Sequence, residues 1–150
     1  MTRWLNDAER AVWEPFVVST MNLFSMLGDE LKRAFDITHL DYGFLTLLSG
    51  TPGGRRMSDL AQIFGVDPSV VTYRIGRMED RDLASRVVCP TDGRGVLAVI
   101  TEEGQHLVEK AAAIHVETVR TLFLDHIDPA HYEALAASFS QIRRSQVPAG

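Results

Sequence analysis

With 150 residues, 45% of them hydrophobic and 23% charged, the chain has the make-up of one globular domain large enough to bury a core without staples. Its single cysteine excludes an internal disulfide, and no apolar run approaches the roughly 18–20 residues of a membrane span. The start, Met1-Thr2-Arg3-Trp4, carries no signal-peptide core, so a reducing, cytoplasmic location is expected. A net charge of −5 taken whole opposes nucleic-acid binding, which makes its distribution decisive.

Asn6 and Glu9 form a capping-box start to a long helix, about residues 5–34. Val12, Trp13, Phe16, Val17, Met21, Phe24 and Leu27 recur along it at three- and four-residue spacing. That stripe reads as core or as a helix partner in a dimer. Phe35-Asp36-Ile37 is a connector, and Thr38 caps the next helix, His39 to about Ser49, with Leu40, Phe44, Leu45, Leu47 and Leu48 inward. Gly50 to Arg56 is a flexible link.

Ser58 to Phe64 reads as a short helix capped by Ser58 and ended by Gly65. Asp67 and Pro68 open a second helix, on which Val71, Ile75 and Met78 share one buried face. Ser69, Val70, Thr72, Tyr73, Arg74 and Arg77 are left outside. A helix that buries so thin a stripe and exposes hydroxyls, a tyrosine and two arginines suits a DNA major groove. The period then becomes extended: Ala84–Cys89 and Val96–Ile100 form two strands, and the tip Pro90–Gly95 carries Arg94 toward a minor groove or a phosphate. Asp92 is expected to fix that tip by pairing with an arginine, because a carboxylate beside phosphate is repelled. Arg55 and Arg56 are either solvated or in contact with the DNA backbone.

From Arg55 to Arg94 there are seven arginines against six acids, a balance of +1 that leaves −6 on the remainder. So modest a footprint implies that DNA affinity depends on two copies binding together. Thr101 caps a helix running to about Asp125, with Leu107, Ala111, Ile114, Thr118 and Leu122 inward, and Asp128-Pro129 starts a last helix. Val147-Pro148-Ala149-Gly150 reads as frayed. One small winged unit cannot cover both terminal stripes, so the terminal helices of two chains are expected to interdigitate as a homodimer, which also sets the two recognition helices one DNA turn apart.

Cys89, at the end of the first wing strand, reads as structural, since reactivity needs a lowered pKa and nothing in the sequence sets a base beside it. The five histidines form no tight ligand pair, so no metal is assigned; His39 and His115 are left as hydrogen-bond donors to a bound carboxylate. There is no phosphate loop, nucleophile elbow or paired His/Cys or Ser/His motif, so neither an enzyme nor a cofactor is expected.

The runs Val71-Thr72, Arg77-Met78-Glu79-Asp80-Arg81-Asp82-Leu83, Asp92-Gly93-Arg94 and Ile100-Thr101-Glu102-Glu103-Gly104 resemble the MarR family of bacterial transcriptional regulators. That family's pattern runs roughly V-T/S-x-x-(apolar)-x-R-(apolar)-E-x-x-G-L, then D-x-R, then L-T-x-x-G. Asp82 departs from it by replacing Gly in a left-handed helix stop, and Tyr73 stands where many members place a basic or small polar DNA contact. The resemblance implies a mainly α fold with a small β-wing: one domain with a winged helix-turn-helix at about 38–101 and dimerisation helices at about 5–34 and 102–146. It implies a homodimeric repressor on a pseudo-palindromic operator in double-stranded DNA, with Ser69, Thr72, Tyr73, Arg74, Arg77, Arg86 and Arg94 at the DNA. It further implies a small aromatic or phenolic effector bound between the dimerisation helices and the winged helix, with Trp13, Phe16, Tyr42 and His115 as walls and Arg86 as a second candidate, an anion partner. The acidic balance and Tyr73 motivate a competing reading, a winged-helix protein-interaction module without DNA binding.

Overall fold

Local signals set most of the element boundaries. Asn6 and Glu9 exchange the two hydrogen bonds of a capping box, each 2.9 Å, and open the 29-residue helix α1 (Asp7–Phe35). The computed structural model describes residues 1–146; the four terminal residues, read above as frayed, lie outside the described residues. Helix α1 ends at Asp36, which takes the left-handed conformation at φ 55° and returns its N–H to the Lys32 carbonyl. Arg81 donates to the Phe35 and Asp36 carbonyls at 2.9 and 2.7 Å, which ties this end of α1 to the middle of the chain. Thr38 and Asp41 repeat the capping box for α2 (His39–Ser49). Phe44, Leu45 and Leu48 of α2 are buried, with Leu40 and Leu47 half-buried against them.

The segment after α2 departs from expectation. Gly53 and Gly54, at φ 85° and 86°, turn the chain back, and Arg55–Arg56 form a short strand, β1, in place of a flexible link. Helix α3 (Met57–Phe64) follows at once, so its cap position falls on Arg56 and no side chain caps it. Ser58 therefore sits within the first turn and is not the cap. Gly65 at φ 62° ends α3 as expected, and Asp67 caps α4 (Pro68–Glu79) by accepting the Ser69 N–H at 3.2 Å. Asp82 tolerates the left-handed turn at φ 56°.

Strand β2 (Ala84–Val88) stops one residue short of Cys89 and pairs with β3 (Val96–Ile100) from Ala84 opposite Ile100 to Val88 opposite Val96. On the other side of β3, Arg55 lies opposite Ala98, so the antiparallel sheet has three strands in the order β1-β3-β2, one more than the sequence suggested.

Thr101 caps α5 (Glu102–Leu122) by accepting the Gly104 N–H at 3.0 Å. Helix α5 stops before Asp125 because Phe123 leaves the helical region at φ −135°, and Leu124–His126 closes a 3-10 turn. Asp128 caps a short turn, Pro129–His131, by accepting the Ala130 N–H at 2.9 Å, and the turn leads into α6 (Tyr132–Gln146).

The core lies beneath the winged unit, where Phe44, Leu45, Leu60, Val71, Ile75 and Ala98 have no exposed surface. Each large side chain so buried contributes about 1.5–3 kcal/mol of apolar transfer energy. Helix α1 adds only Leu27 and Leu31, and α6 has no buried residue among those described. Apart from Leu27, the α1 stripe is thus largely outside the core of one chain: Val12 is 72% exposed, Trp13 54%, Met21 68% and Phe24 52%. No helix among the described residues is long and apolar enough to cross a membrane.

Gly104 is required for space. A Cβ on it would sit 2.0 Å from the Leu83 carbonyl oxygen and 2.9 Å from Ile100 Cγ1, and that same carbonyl accepts the Thr101 N–H at 3.2 Å. Backbone cannot swing aside as a flexible side chain does. Gly104→Ala is expected to destabilise the fold by about 2–3 kcal/mol through overpacking, measured by chemical denaturation followed by circular dichroism; wild-type stability would show that α5 can shift without cost.

Candidate nucleic-acid interface

Helix α4 buries Val71, Ile75 and Met78 at 0–2% exposure and turns Tyr73, 59% exposed, to the opposite face. Ser69 and Arg77 flank Tyr73 on that face, and both are exposed. Ser69 Oγ donates to Asp67 Oδ1 at 3.0 Å and Thr72 Oγ1 to the Pro68 carbonyl at 3.1 Å, so each hydroxyl is fixed while its lone pairs stay open. Thr72 lies on the flank toward the wing and Arg74 on the flank toward α2. Arg74 is not free in the groove: its Nη1 lies 3.6 Å from Asp41 Oδ2, and its guanidinium carbon is 5.7 Å from the Tyr73 ring centroid.

The wing is braced from β1. Asp92 accepts the Arg94 N–H at 3.1 Å and Arg56 Nη1 at 3.2 Å, and these two bonds, in that order, hold its carboxyl below the usual range. The arginine expected to pair with Asp92 is therefore Arg56, which is neither simply solvated nor unengaged. Arg94 is exposed. Among the described residues, neither Arg77 nor Arg94 forms an ion pair. Arg86 is placed differently: its Nη2 lies 2.7 Å from Glu79 Oε2 and its backbone N–H donates to Oε1 at 3.1 Å, making it a strut between α4 and β2. Those bonds also hold the Glu79 carboxyl low. Between α3, α4 and the wing runs a cleft of about 490 Å³ lined by Arg56, Ser58, Thr72, Arg86, Asp92 and Arg94.

Cys89 is buried beside this clamp, with Sγ 3.4 Å from Thr91 Oγ1 and 3.9 Å from Arg56 Nη2. The Thr91 hydroxyl and the Thr91 and Asp92 amides, with the Arg56 charge, lower its thiol pKa. The sequence reading missed this cation, because β1 brings Arg56 to the thiol from outside the hairpin.

The four aromatic-pocket candidates separate into two clusters. Trp13 and Phe16 lie 6.0 Å apart between ring centroids, and Phe16 is 6.3 Å from Phe139 of α6. Tyr42 and His115 lie 4.7 Å apart, and His115 stacks on His39 at 5.6 Å. Phe24 joins them, 5.2 Å from His39 and lining an apolar cavity of about 470 Å³ with Phe16, Leu23, Leu122, Phe123 and Phe139. Phe24 was legible as part of the α1 stripe; Phe123 and Phe139 carried no signal of this cavity. Arg86 stands with Glu79 in the wing cleft and not beside this stack. Among the described residues no three His, Cys, Asp or Glu side chains converge on a metal site.

A short helix, a turn, an exposed second helix and a braced hairpin together define a winged helix-turn-helix regulator. A sequence model of the MarR family matches residues 35–95. The uncharacterized HTH-type transcriptional regulator YhbI of Bacillus subtilis (strain 168) is 33% identical over 110 residues, 72% of this chain and 71% of that one. AbsC, a MarR family transcriptional regulator from Streptomyces coelicolor, is 35% identical with a TM-score of 0.88, covering 96% of this chain and 97% of that one. Sco3205, a MarR family regulator from the same organism solved in complex with DNA, is 28% identical with a TM-score of 0.92, covering 99% and 94%. The chain belongs to the MarR family of DNA-binding transcriptional regulators.

One consequence of the stack is a pH dependence. His39 and His115 bring their Nε2 atoms within 3.4 Å, an arrangement that one shared hydrogen satisfies and two positive charges do not. Burial lowers both pKa values from the ordinary 6.5, and at His39 the neighbouring imidazole adds to it. Below 6.5 the unfolded chain thus binds more protons than the folded one, so this pair's contribution is full above about pH 7 and falls as the pH drops. The melting temperature is expected to fall from pH 7.5 to pH 5.5 more steeply in the wild type than in His39→Gln. Equal slopes would remove the pair from the pH response.

Proposed function

We propose that the protein is a homodimeric repressor that reads a pseudo-palindromic operator and is released by a small aromatic or phenolic ligand. The observation that carries the reading is the pairing of an exposed α4 face with a clamped wing whose Arg94 side chain forms no ion pair among the described residues. Ser69, Tyr73 and Arg77 face the major groove, with Thr72 and Arg74 at its two edges. Arg94 enters the minor groove or meets a phosphate, and Arg86 lies under the backbone between them. The uncovered apolar surface of α1 and α6 supports the proposed division of the chain, in which the terminal helices dimerise and the central unit binds DNA. Such a protein carries out no chemistry on its ligand and works in the cytoplasm, where the DNA is.

Ligand control finds support in fold relatives. CouR from Rhodococcus jostii RHA1, 21% identical with a TM-score of 0.78, was solved bound to p-coumaroyl-CoA. DNA binding by BpsR of Bordetella bronchiseptica, 19% identical with a TM-score of 0.77, is regulated by 6-hydroxynicotinic acid. In this chain the apolar cavity beside Phe16 and Phe24 and the Tyr42–His115 stack suit an aromatic acid. Against the protein-interaction alternative stand three acids that serve as partners of arginines: Glu79 of Arg86, Asp92 of Arg56 and, from α2, Asp41 of Arg74.

The test is fluorescence anisotropy on a duplex of the protein's own upstream region at two salt concentrations, with random duplex as competitor. Competitor-resistant binding with two protomers per duplex is expected; binding that random duplex removes equally would defeat operator recognition at that site. Arg94→Ala should weaken binding to operator and random duplex by a comparable factor and lower the salt slope by about 0.9 per protomer. Unchanged affinity would take the wing out of the mechanism. In thermal-shift assays phenolic acids should stabilise the protein and, in the same concentration range, displace it from DNA; a flat response across the panel would count against a ligand of this class.

A further inference from the structure

Asp41 is more than the cap of α2. Capping occupies only Oδ2, which accepts the Thr38 N–H at 2.9 Å. Oδ1 is buried and has no hydrogen-bond partner, and the residue is 8% exposed. A buried carboxylate with one oxygen unserved favours a cation beside it. The cation at hand is Arg74, whose Nη1 reaches across from α4 to 3.6 Å from Oδ2, an ion-pair contact longer than a hydrogen bond. Arg74 comes three residues after Val71 and one before Ile75, so it leaves α4 at the edge between core and groove. From there its guanidinium lies over the ring of Tyr73, the residue at the centre of the exposed face.

We infer that Asp41 is a positioning residue for sequence reading: it holds Arg74 against Tyr73, so that the two present one fixed surface to the major groove. The inference rests on the DNA-binding reading above. Two consequences separate it from a purely structural role. Asp41 offsets the Arg74 charge, so removing the carboxylate frees a cation and leaves attraction to unrelated DNA unchanged or stronger. It also frees the rotamers of Arg74 and Tyr73, so discrimination between sequences falls. A cap alone would do neither.

The experiment uses the full chain and a duplex that the wild type selects from a random-sequence pool, with a scrambled duplex as reference. Asp41→Asn keeps a cap acceptor and loses the charge. It is expected to cut the ratio of selected to scrambled affinity about tenfold, the scale of one oriented base contact, while affinity for the scrambled duplex holds or rises. Arg74→Gln should lose the ratio to the same degree, and the double variant should behave as Arg74→Gln alone. Thr38→Val, which breaks the cap and leaves the pair, should lower the melting temperature and keep the ratio. The inference is overturned if Asp41→Asn or Arg74→Gln retains the ratio, if the Asp41→Asn loss persists in full on the Arg74→Gln background, or if Thr38→Val loses as much. A wild type that selects no sequence at all would instead overturn the DNA-binding reading, and this inference with it.

Discussion

The architecture turns on one carbonyl. Leu83 follows the left-handed stop that ends the α4 region, and its oxygen accepts the Thr101 N–H where β3 gives way to α5. Gly104 then lets the first turn of α5 pass over that oxygen at a distance no other residue permits. The recognition helix, both long wing strands and the longest C-terminal helix therefore meet at a single close contact. Such a joint has little compliance, because backbone meets backbone and close-packed atoms do not yield gradually. In a regulator whose two DNA-reading units must stand at a fixed separation, that stiffness is the useful property.

Local pairing shapes where the charge lies. The chain keeps its net charge of −5 whichever acids pair with arginines, so what pairing alters is the distribution and not the total. Asp92 clamps Arg56, Asp41 holds Arg74, and Glu79 braces Arg86. Two of the six acids between Arg55 and Arg94, with Asp41 of α2, thus hold arginines in place, while Arg77 and Arg94 form no ion pair among the described residues. The two more exposed pairs, Asp92–Arg56 and Glu79–Arg86, add little to stability. Their value lies in geometry, since a guanidinium fixed in one rotamer loses less entropy on contacting a base or phosphate.

What was legible in the sequence is what depends on neighbours three or four residues away. The Asn6–Glu9 box, the Thr38, Asp67 and Thr101 caps, the Gly65 and Asp82 stops and the Val71-Ile75-Met78 stripe are all local, and each lies where expected. The errors have a common physical origin. Strand β1 spans two residues and exists only because β3 is there to pair with it, so Arg55–Arg56 looked like linker and Ser58 looked like a cap. The partners of Asp92 and Arg74 come from elements far along the chain, beyond the reach of any periodicity. The residues Trp13, Phe16, Tyr42 and His115 were expected to wall one ligand pocket, but their separation into two clusters depends on helix crossing, which spacing does not encode.

Those two clusters bear on how a ligand and DNA would compete. Helix α2 carries His39 and Tyr42 on the face that meets α1 and α5, and Asp41, between them in sequence, meets the recognition helix. A helix of eleven residues moves as a body, so whatever wedges against Tyr42 also moves Asp41. The apolar cavity beside Phe24 adjoins the same stack and is bounded by α1, α5 and α6, the elements whose outer surfaces one chain leaves uncovered. On the proposed reading, dimer contact, ligand contact and the positioning of Arg74 all act on α2 and its neighbours. A ligand need not reach the DNA surface to be felt there; it has only to bind better to the arrangement in which α2 has left its place than to the one that holds the operator.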